Sequence, residues 1–212
     1  MKYPTDDLHE ITAITLNDYN STADSFWHGT RDHDVSQNID ALLRNIAGEK
    51  PFTILDFGCG PGRDLKHFTD LGHHAVGLEG AEQFAVMART FSGCEVWQQN
   101  FLELKLPNNY FDGIFANATL FHVPSKELAR VLKQLHATLK PGGVLFSSNP
   151  RCAEGEGTRE GWNRDRYGAF HDLDNWRHYL NTAGFTEIEH YYRPEGLPLA
   201  QQPWLASVWR AQ

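Results

Sequence analysis

Apolar and polar positions change period several times along the chain. Over 36–48, "SQNIDALLRNIAG", Ile39, Leu42, Leu43 and Ile46 recur at helical spacing, with Ser36 placed to cap and Gly48 to stop. Before it, "NDYNSTADSFWHGTRDHD" (17–34) predicts a short helix with Asn17 as N-cap and Gly29 as stop. From 52 onward, short apolar runs alternate with amphipathic stretches. Strands are predicted at 52–58, 74–79, 95–100, within 111–120 and at 144–150. Helices are predicted at 63–72, 81–93 and 125–143, the last closed by Pro and Gly.

Then the rhythm breaks. "RCAEGEGTREGWNRDRYGAFH" (151–171) has no apolar period and is too long for an ordinary connection, which leaves a lid, a substrate loop or a disordered segment. A helix over 172–185 and two closing strands at 186–192 and 204–210 follow, and the aromatic, proline-rich 190–204 is expected at the sheet edge. Alternation at this spacing implies an α/β fold: a Rossmann-like, doubly wound, mostly parallel sheet ending in an antiparallel strand pair. The whole of 1–212 reads as one domain, with an N-terminal helical cap (1–48), a core (49–150), a lid (151–171) and a closing helix and strand pair (172–212).

The chemistry concentrates in "TILDFGCGPGRDL" (53–65), where a strand runs into three alternate glycines. Ligands of open parallel sheets sit at the carboxyl ends of the strands. A P-loop needs Gly-Lys-Ser/Thr, and here Gly62 is followed by Arg63 and Asp64. In a dinucleotide fingerprint the third glycine comes one residue later, where Arg63 stands. Asp56 before the loop repels a pyrophosphate and attracts an ammonium. At the end of the second strand, Glu79 offers two oxygens to a ribose diol. A nucleoside with an amino group and no phosphates meets these demands, and S-adenosylmethionine is one.

Composition narrows the context. The net charge is −8 and no dense Lys/Arg run occurs, which disfavours nucleic acid and anionic lipid as partners. Three cysteines, without a C-x-x-C pair, fit neither a disulfide framework nor a zinc site. The start, "MKYPTDDLHE", carries acids where a signal peptide has an apolar run, and no stretch approaches the ~18 apolar residues of a membrane span. The expectation is a soluble cytoplasmic protein. Its oligomeric state is not legible.

"LDFGCGPG" (55–62), "GLE" (77–79), "LPNNYFDGIFA" (106–116), "LFHV" (120–123) and "LKPGGVLF" (139–146) resemble, in their order, the class I S-adenosylmethionine-dependent methyltransferases of the small-molecule type (the type 11/12-like group). The resemblance implies that Asp56, Gly58, Gly60 and Gly62 face the methionine part of the cofactor and Glu79 the ribose. Asn100, with Phe101 beside it, stands where the family usually has an Asp for the adenine amino group, and Asn117 would line the methionine. No Pro-Pro-aromatic motif of nucleic-acid amino methylation follows the fourth strand. The implied function is methyl transfer to a small metabolite, without a metal. The rivals are a nicotinamide-dependent oxidoreductase and a non-catalytic cofactor-binding relative.

Two residues are candidates for catalysis. His122, just past the fourth strand, reads either as a base for the methyl acceptor or as a residue that orders its loop. Tyr19, on the N-terminal helix, either closes the site or packs as an ordinary aromatic. Arg31, His33 and Asp34 beside Trp27 in "WHGTRDHD" are candidates for the substrate or the cofactor's carboxylate, and Arg151 at the rim after the fifth strand and Trp162, Arg166 and Tyr167 in the lid for the substrate, against a reading as solvated surface. His28, His33 and Asp34 match no metal-ligand spacing.

Overall fold

A computed structural model describes residues 7–212, so the reading of the first six residues lies outside it. Five parallel strands form the first part of the main sheet: β1 (Thr53–Phe57), β2 (His74–Glu79), β3 (Glu95–Gln98), β4 (Phe111–Asn117) and β5 (Leu139–Pro150). A hairpin of β6 (Thr158–Asn163) and β7 (Arg166–His171) makes a separate two-stranded sheet. Two closing strands, β8 (Phe185–Arg193) and β9 (Trp204–Ala211), run antiparallel, so the main sheet reads β3-β2-β1-β4-β5-β9-β8. The strand order reverses between β1 and β4, which opens the crevice at their carboxyl ends.

The helices cover both faces. On one lie α3 (Ser36–Leu43), α4 (Arg63–Asp70) and α5 (Glu82–Ser92), packed on alternate strand residues such as Ile54, Phe115 and Phe146. On the other lie α6 (Ser125–Thr138) and α7 (Leu173–Thr182), packed on Leu55, Ile114, Leu145 and Trp209. Alternate residues of one strand thus serve two helix layers, which is why β1, β4 and β5 carry consecutive apolar residues such as Ile54-Leu55, Ile114-Phe115 and Leu145-Phe146 rather than an alternating pattern. α6 ends at Thr138, earlier than its sequence suggests. Pro141 biases the residue before it toward extended backbone, and Leu139 already pairs with Phe111 of β4.

Other expectations change as well: α3 has Val35, not Ser36, in the cap position and ends at Leu43, short of Gly48. The N-terminal region is two helices, α1 (Leu8–Ser21) and α2 (Ala23–Thr30), rather than one starting at Asn17. The cap is Asp7, whose carboxylate accepts from the N–H groups of His9 and Glu10 at 2.8 and 3.2 Å, while Asn17 and Gly29 lie inside helices. The inward face of α1 carries Ile11, Thr15 and Tyr19 at i, i+4 and i+8; two of the three are polar, so no apolar stripe marks it in the sequence. The 151–171 segment is partly regular: it carries the β6–β7 hairpin, closed by Arg164–Asp165 with Arg164 in the left-handed region (φ +54°). Tyr167 and Ala169 of β7 pack on Ile11, whereas β6 is polar and exposed, so only half of the hairpin alternates visibly. No helix among the described residues is long and apolar enough to cross a membrane.

Candidate active site

α1 and α2 close over the carboxyl ends of β1, β2, β4 and β5 and leave a cavity of about 650 Å³. Volumes of this order hold a drug-sized ligand. The turn after β1 forms its floor. Gly58 has φ +76°, and a Cβ there would lie 2.3 Å from the Thr119 side chain. Gly62 has φ +95°, and a Cβ would meet Ala88 Cα of α5 at 2.8 Å. Only glycine fits either position. The two differ in role, however: Gly58 lines the cavity with Gly60, while Gly62 permits α4 and α5 to touch and does not reach the wall.

Glu79 ends β2 nearly buried, with Oε1 accepting from Ala81 N–H at 2.8 Å and Oε2 from Gly60 N–H at 2.9 Å. Burial raises its pKa, while the two backbone donors hold the carboxylate down. Each oxygen keeps lone pairs, so the carboxylate has room for a diol. Asn100 Oδ1 accepts from Leu102 N–H at 2.9 Å, and Phe101 stacks on Phe57 at 4.4 Å; Asn100, Phe101 and Leu102 all line the wall beyond Glu79. Asn117 and Ala118 line the wall after β4. Ala118 is held at φ +60° with its N–H bound to Ser148 O at 2.7 Å, a left-handed conformation that a non-glycine residue adopts only under constraint.

Asp56 is placed differently from expectation. It sits under the glycine turn, 2% exposed and off the cavity wall, and its Oδ2 has no hydrogen-bond partner among the described residues. Burial and the neighbouring Asp64 charge push its carboxyl well above the usual range. Arg63 offsets part of that charge. It grips Asp64 through Nε and Nη2 at 2.7 and 2.9 Å, and its Nη1 donates to Thr30 O at 2.8 Å, tying the end of α2 to the turn.

Tyr19 and His122 meet in the roof. The Tyr19 hydroxyl lies 2.7 Å from His122 Nε2, and His122 Nδ1 lies 2.6 Å from Tyr167 O. A carbonyl only accepts, so Nδ1 carries the proton and Nε2 accepts from the phenol. Burial pulls the His122 pKa down to about 4 and pushes Tyr19 up to about 12. Both are therefore neutral at pH 7, and the proton positions are fixed.

Five of the expected substrate residues line no wall of the cavity. Arg31 is half-exposed and pairs with Asp32. Arg151 turns back on Leu199 O, Gln202 O and Glu154. Trp162 packs on Tyr167 in the hairpin. Arg166 lies behind Tyr19, its guanidinium carbon 4.0 Å from the ring centre, bound to Asp18 and Thr22. Tyr167 presents its carbonyl, not its ring, to the site. These polar side chains found protein partners, and position after β5 did not bring them over the crevice. The wall instead uses Asn38, Arg193 and Trp204, which sequence reasoning passed over, together with His33 and Asp34 from the stretch that holds Arg31. Asn38 was the findable one: a polar residue beside the apolar stripe of α3, 2% exposed. Among the described residues no His/Cys/Asp/Glu group is arranged to hold a metal.

With this geometry in place, comparison with known proteins gives the family. The methyltransferase-domain family matches residues 26–190, and the chain belongs to it. It falls in class I, the S-adenosylmethionine-dependent methyltransferases. An uncharacterized methyltransferase of Anoxybacillus flavithermus is 22% identical over 87% of both chains. The sterol 24-C-methyltransferase of Aspergillus fumigatus is 32% identical over 52% of this chain but only 31% of its own length, so the chain spans about a third of that relative. Among solved structures, the 1,6-didemethyltoxoflavin-N1-methyltransferase of Burkholderia thailandensis, with 1,6-didemethyltoxoflavin and S-adenosylhomocysteine bound, superposes with a TM-score of 0.80. It is 23% identical, covers 100% of this chain and 93% of its own, and shares the fold.

Proposed function

We propose that this chain transfers a methyl group from S-adenosylmethionine to a small-molecule acceptor. The observation that carries this reading is Glu79: a nearly buried carboxylate at the end of β2, aimed by two backbone N–H groups at a cavity whose floor is bare glycine backbone. Asp56, Asp64 and Glu79 outnumber Arg63 around the turn, a balance that favours a cationic nucleoside and disfavours the pyrophosphate of a nicotinamide cofactor.

The residues present fit that molecule. Glu79 would take the ribose hydroxyls, Asn100 and Phe101 the adenine end, and Gly58, Gly60 and Asn117 the methionine end. Asp56, beneath the turn, would act on the ammonium through its charge rather than by contact. When bound, S-adenosylmethionine would supply an electrophilic sulfonium methyl for displacement by the acceptor. The chain contributes position and a dry site, which is most of what such a displacement requires.

Tyr19 and His122 fit a positioning role better than base catalysis at pH 7. The Nε2 lone pair already accepts the Tyr19 proton, and burial, with Arg166 nearby, disfavours an imidazolium. The pair would fix the roof of α1 over the acceptor and leave a phenol oxygen lone pair to receive a hydrogen bond from it.

The names of a relative and of a structural neighbour point to different acceptors, a sterol and 1,6-didemethyltoxoflavin. The test is incubation with methyl-labelled S-adenosylmethionine and a metabolite extract, with identification of the labelled product by mass spectrometry. Label in a small molecule supports the reading; cofactor binding with no label on any metabolite favours a non-catalytic relative.

A further inference from the structure

Two guanidinium groups line the cavity from different sides. Arg63 stands at the glycine turn, its charge shared with Asp64. Arg193, the last residue of β8, enters from the far side of the crevice, where β8 and β9 meet. Its Nη1 donates to Asn38 Oδ1 at 2.8 Å, and no carboxylate among the described residues forms an ion pair with it. Asp34, on the same wall, is held by Ser36 N–H at 2.9 Å and feels Arg193 only at longer range. A guanidinium stays charged at any physiological pH and carries five N–H donors in a planar fork. Most of that fork is unsatisfied by protein, half-buried, and at the cavity.

The group is also held in place. Asn38 Oδ1 accepts from Arg193 and from the Tyr191 hydroxyl at 3.0 Å, and its Nδ2 donates to Asn117 Oδ1 at 3.0 Å. A 2%-exposed asparagine in an apolar helix face needs such partners, so the amide is fixed, and it fixes the arginine. Two hydrogen bonds therefore link Arg193 to the end of β4, where the methionine arm of the cofactor is expected. Trp204, paired with Arg193 across β8 and β9, supplies an aromatic neighbour on the same wall.

We propose that Arg193 is the seat for an anionic group on the methyl acceptor, and that the acceptor is a small organic carboxylate or comparable planar oxyanion. The inference rests on the methyl-transfer reading above. A planar fork matches a carboxylate with two parallel hydrogen bonds. Arg63, the other guanidinium on the wall, is already taken up by Asp64 and Thr30 O.

The test splits a metabolite extract on an anion-exchange resin at pH 7 into flow-through and salt-eluted fractions and supplies each with methyl-labelled S-adenosylmethionine and the full chain. Incorporation is expected from the retained fraction only. With the product identified, Arg193→Gln is expected to raise KM for its precursor at least tenfold, Arg193→Lys to recover part of the loss, and S-adenosylhomocysteine affinity to stay within twofold in both. Incorporation from the flow-through alone, or an unchanged KM in Arg193→Gln, overturns the proposal. So does a tenfold loss of S-adenosylhomocysteine affinity, which would assign the guanidinium to the cofactor's carboxylate. Should Arg193→Gln not fold, the fractionation of the unaltered protein decides by itself. Incorporation from neither fraction, with cofactor still bound, removes the methyl-transfer reading and this proposal with it.

Discussion

His122 should make the stability of this protein depend on pH in a way that one substitution isolates. Its imidazole is neutral in the fold, with Nδ1–H on Tyr167 O and Nε2 accepting from Tyr19, and burial lowers its pKa to about 4. An unfolded histidine titrates near 6.5. The folded value is the lower one, so the unfolded chain binds the proton more readily between these limits. The stabilisation linked to neutral His122 is complete above about pH 6.5 and is lost as the pH falls toward about 4. At about 1.4 kcal/mol for each pH unit, the loss is about 3 kcal/mol. His122→Gln keeps an amide able to donate and accept but does not titrate. Urea unfolding of the two proteins at intervals from pH 7.5 to 4.5 gives the comparison, and subtraction cancels the other groups. The wild type should lose at least about 2 kcal/mol more than His122→Gln over that range. Parallel stability profiles would refute both the tautomer assignment and the burial argument.

Other expectations follow from the same geometry. Tyr19→Phe leaves Nε2 of His122 buried and unpaired and should destabilise by about 1–3 kcal/mol, with most of that absent in a His122→Gln background, as a double-mutant cycle in urea would measure. Gly62→Ala combines a left-handed backbone with overlap onto Ala88 Cα and should cost about 2–4 kcal/mol, read from the urea midpoint. Asp56 has a raised folded pKa, so the stability contributed by its protonated form is present at low pH and lost as pH rises. Asp56→Asn should therefore raise the melting temperature of the ligand-free protein at pH 8 while weakening S-adenosylmethionine binding, and an unaltered affinity would separate Asp56 from the ammonium.

Much of the scaffold was legible because the strands that flank the switch point are apolar on both faces. β2 begins and ends where its sequence says, and β1 lies between Pro51 and Gly58. The glycine turn and Glu79 were readable because backbone conformation and close approach admit few residue types there. What failed has a common cause: residues that line a cavity or pair locally carry no period. α1 was missed since its inward face holds Thr15, which accepts from Tyr167 N–H, and Tyr19, which meets His122. Arg166 was misassigned since sequence cannot tell a cation facing substrate from one facing Asp18 and the back of Tyr19. Arg193 went unnoticed because its place on the cavity wall depends on β8 returning beside β9, a pairing set by topology and not by neighbours in the chain.

The central claim, that this cavity seats S-adenosylmethionine on Glu79 and the glycine turn, is tested most directly by calorimetric titration of S-adenosylhomocysteine into the wild type and Glu79→Gln. The account predicts one site per chain, no competing heat from NADH, and an affinity about ten- to a hundredfold weaker in a folded Glu79→Gln, as the loss of charge-assisted hydrogen bonds implies. The absence of S-adenosylhomocysteine binding to the wild type, or equal affinity in the two proteins, would contradict it.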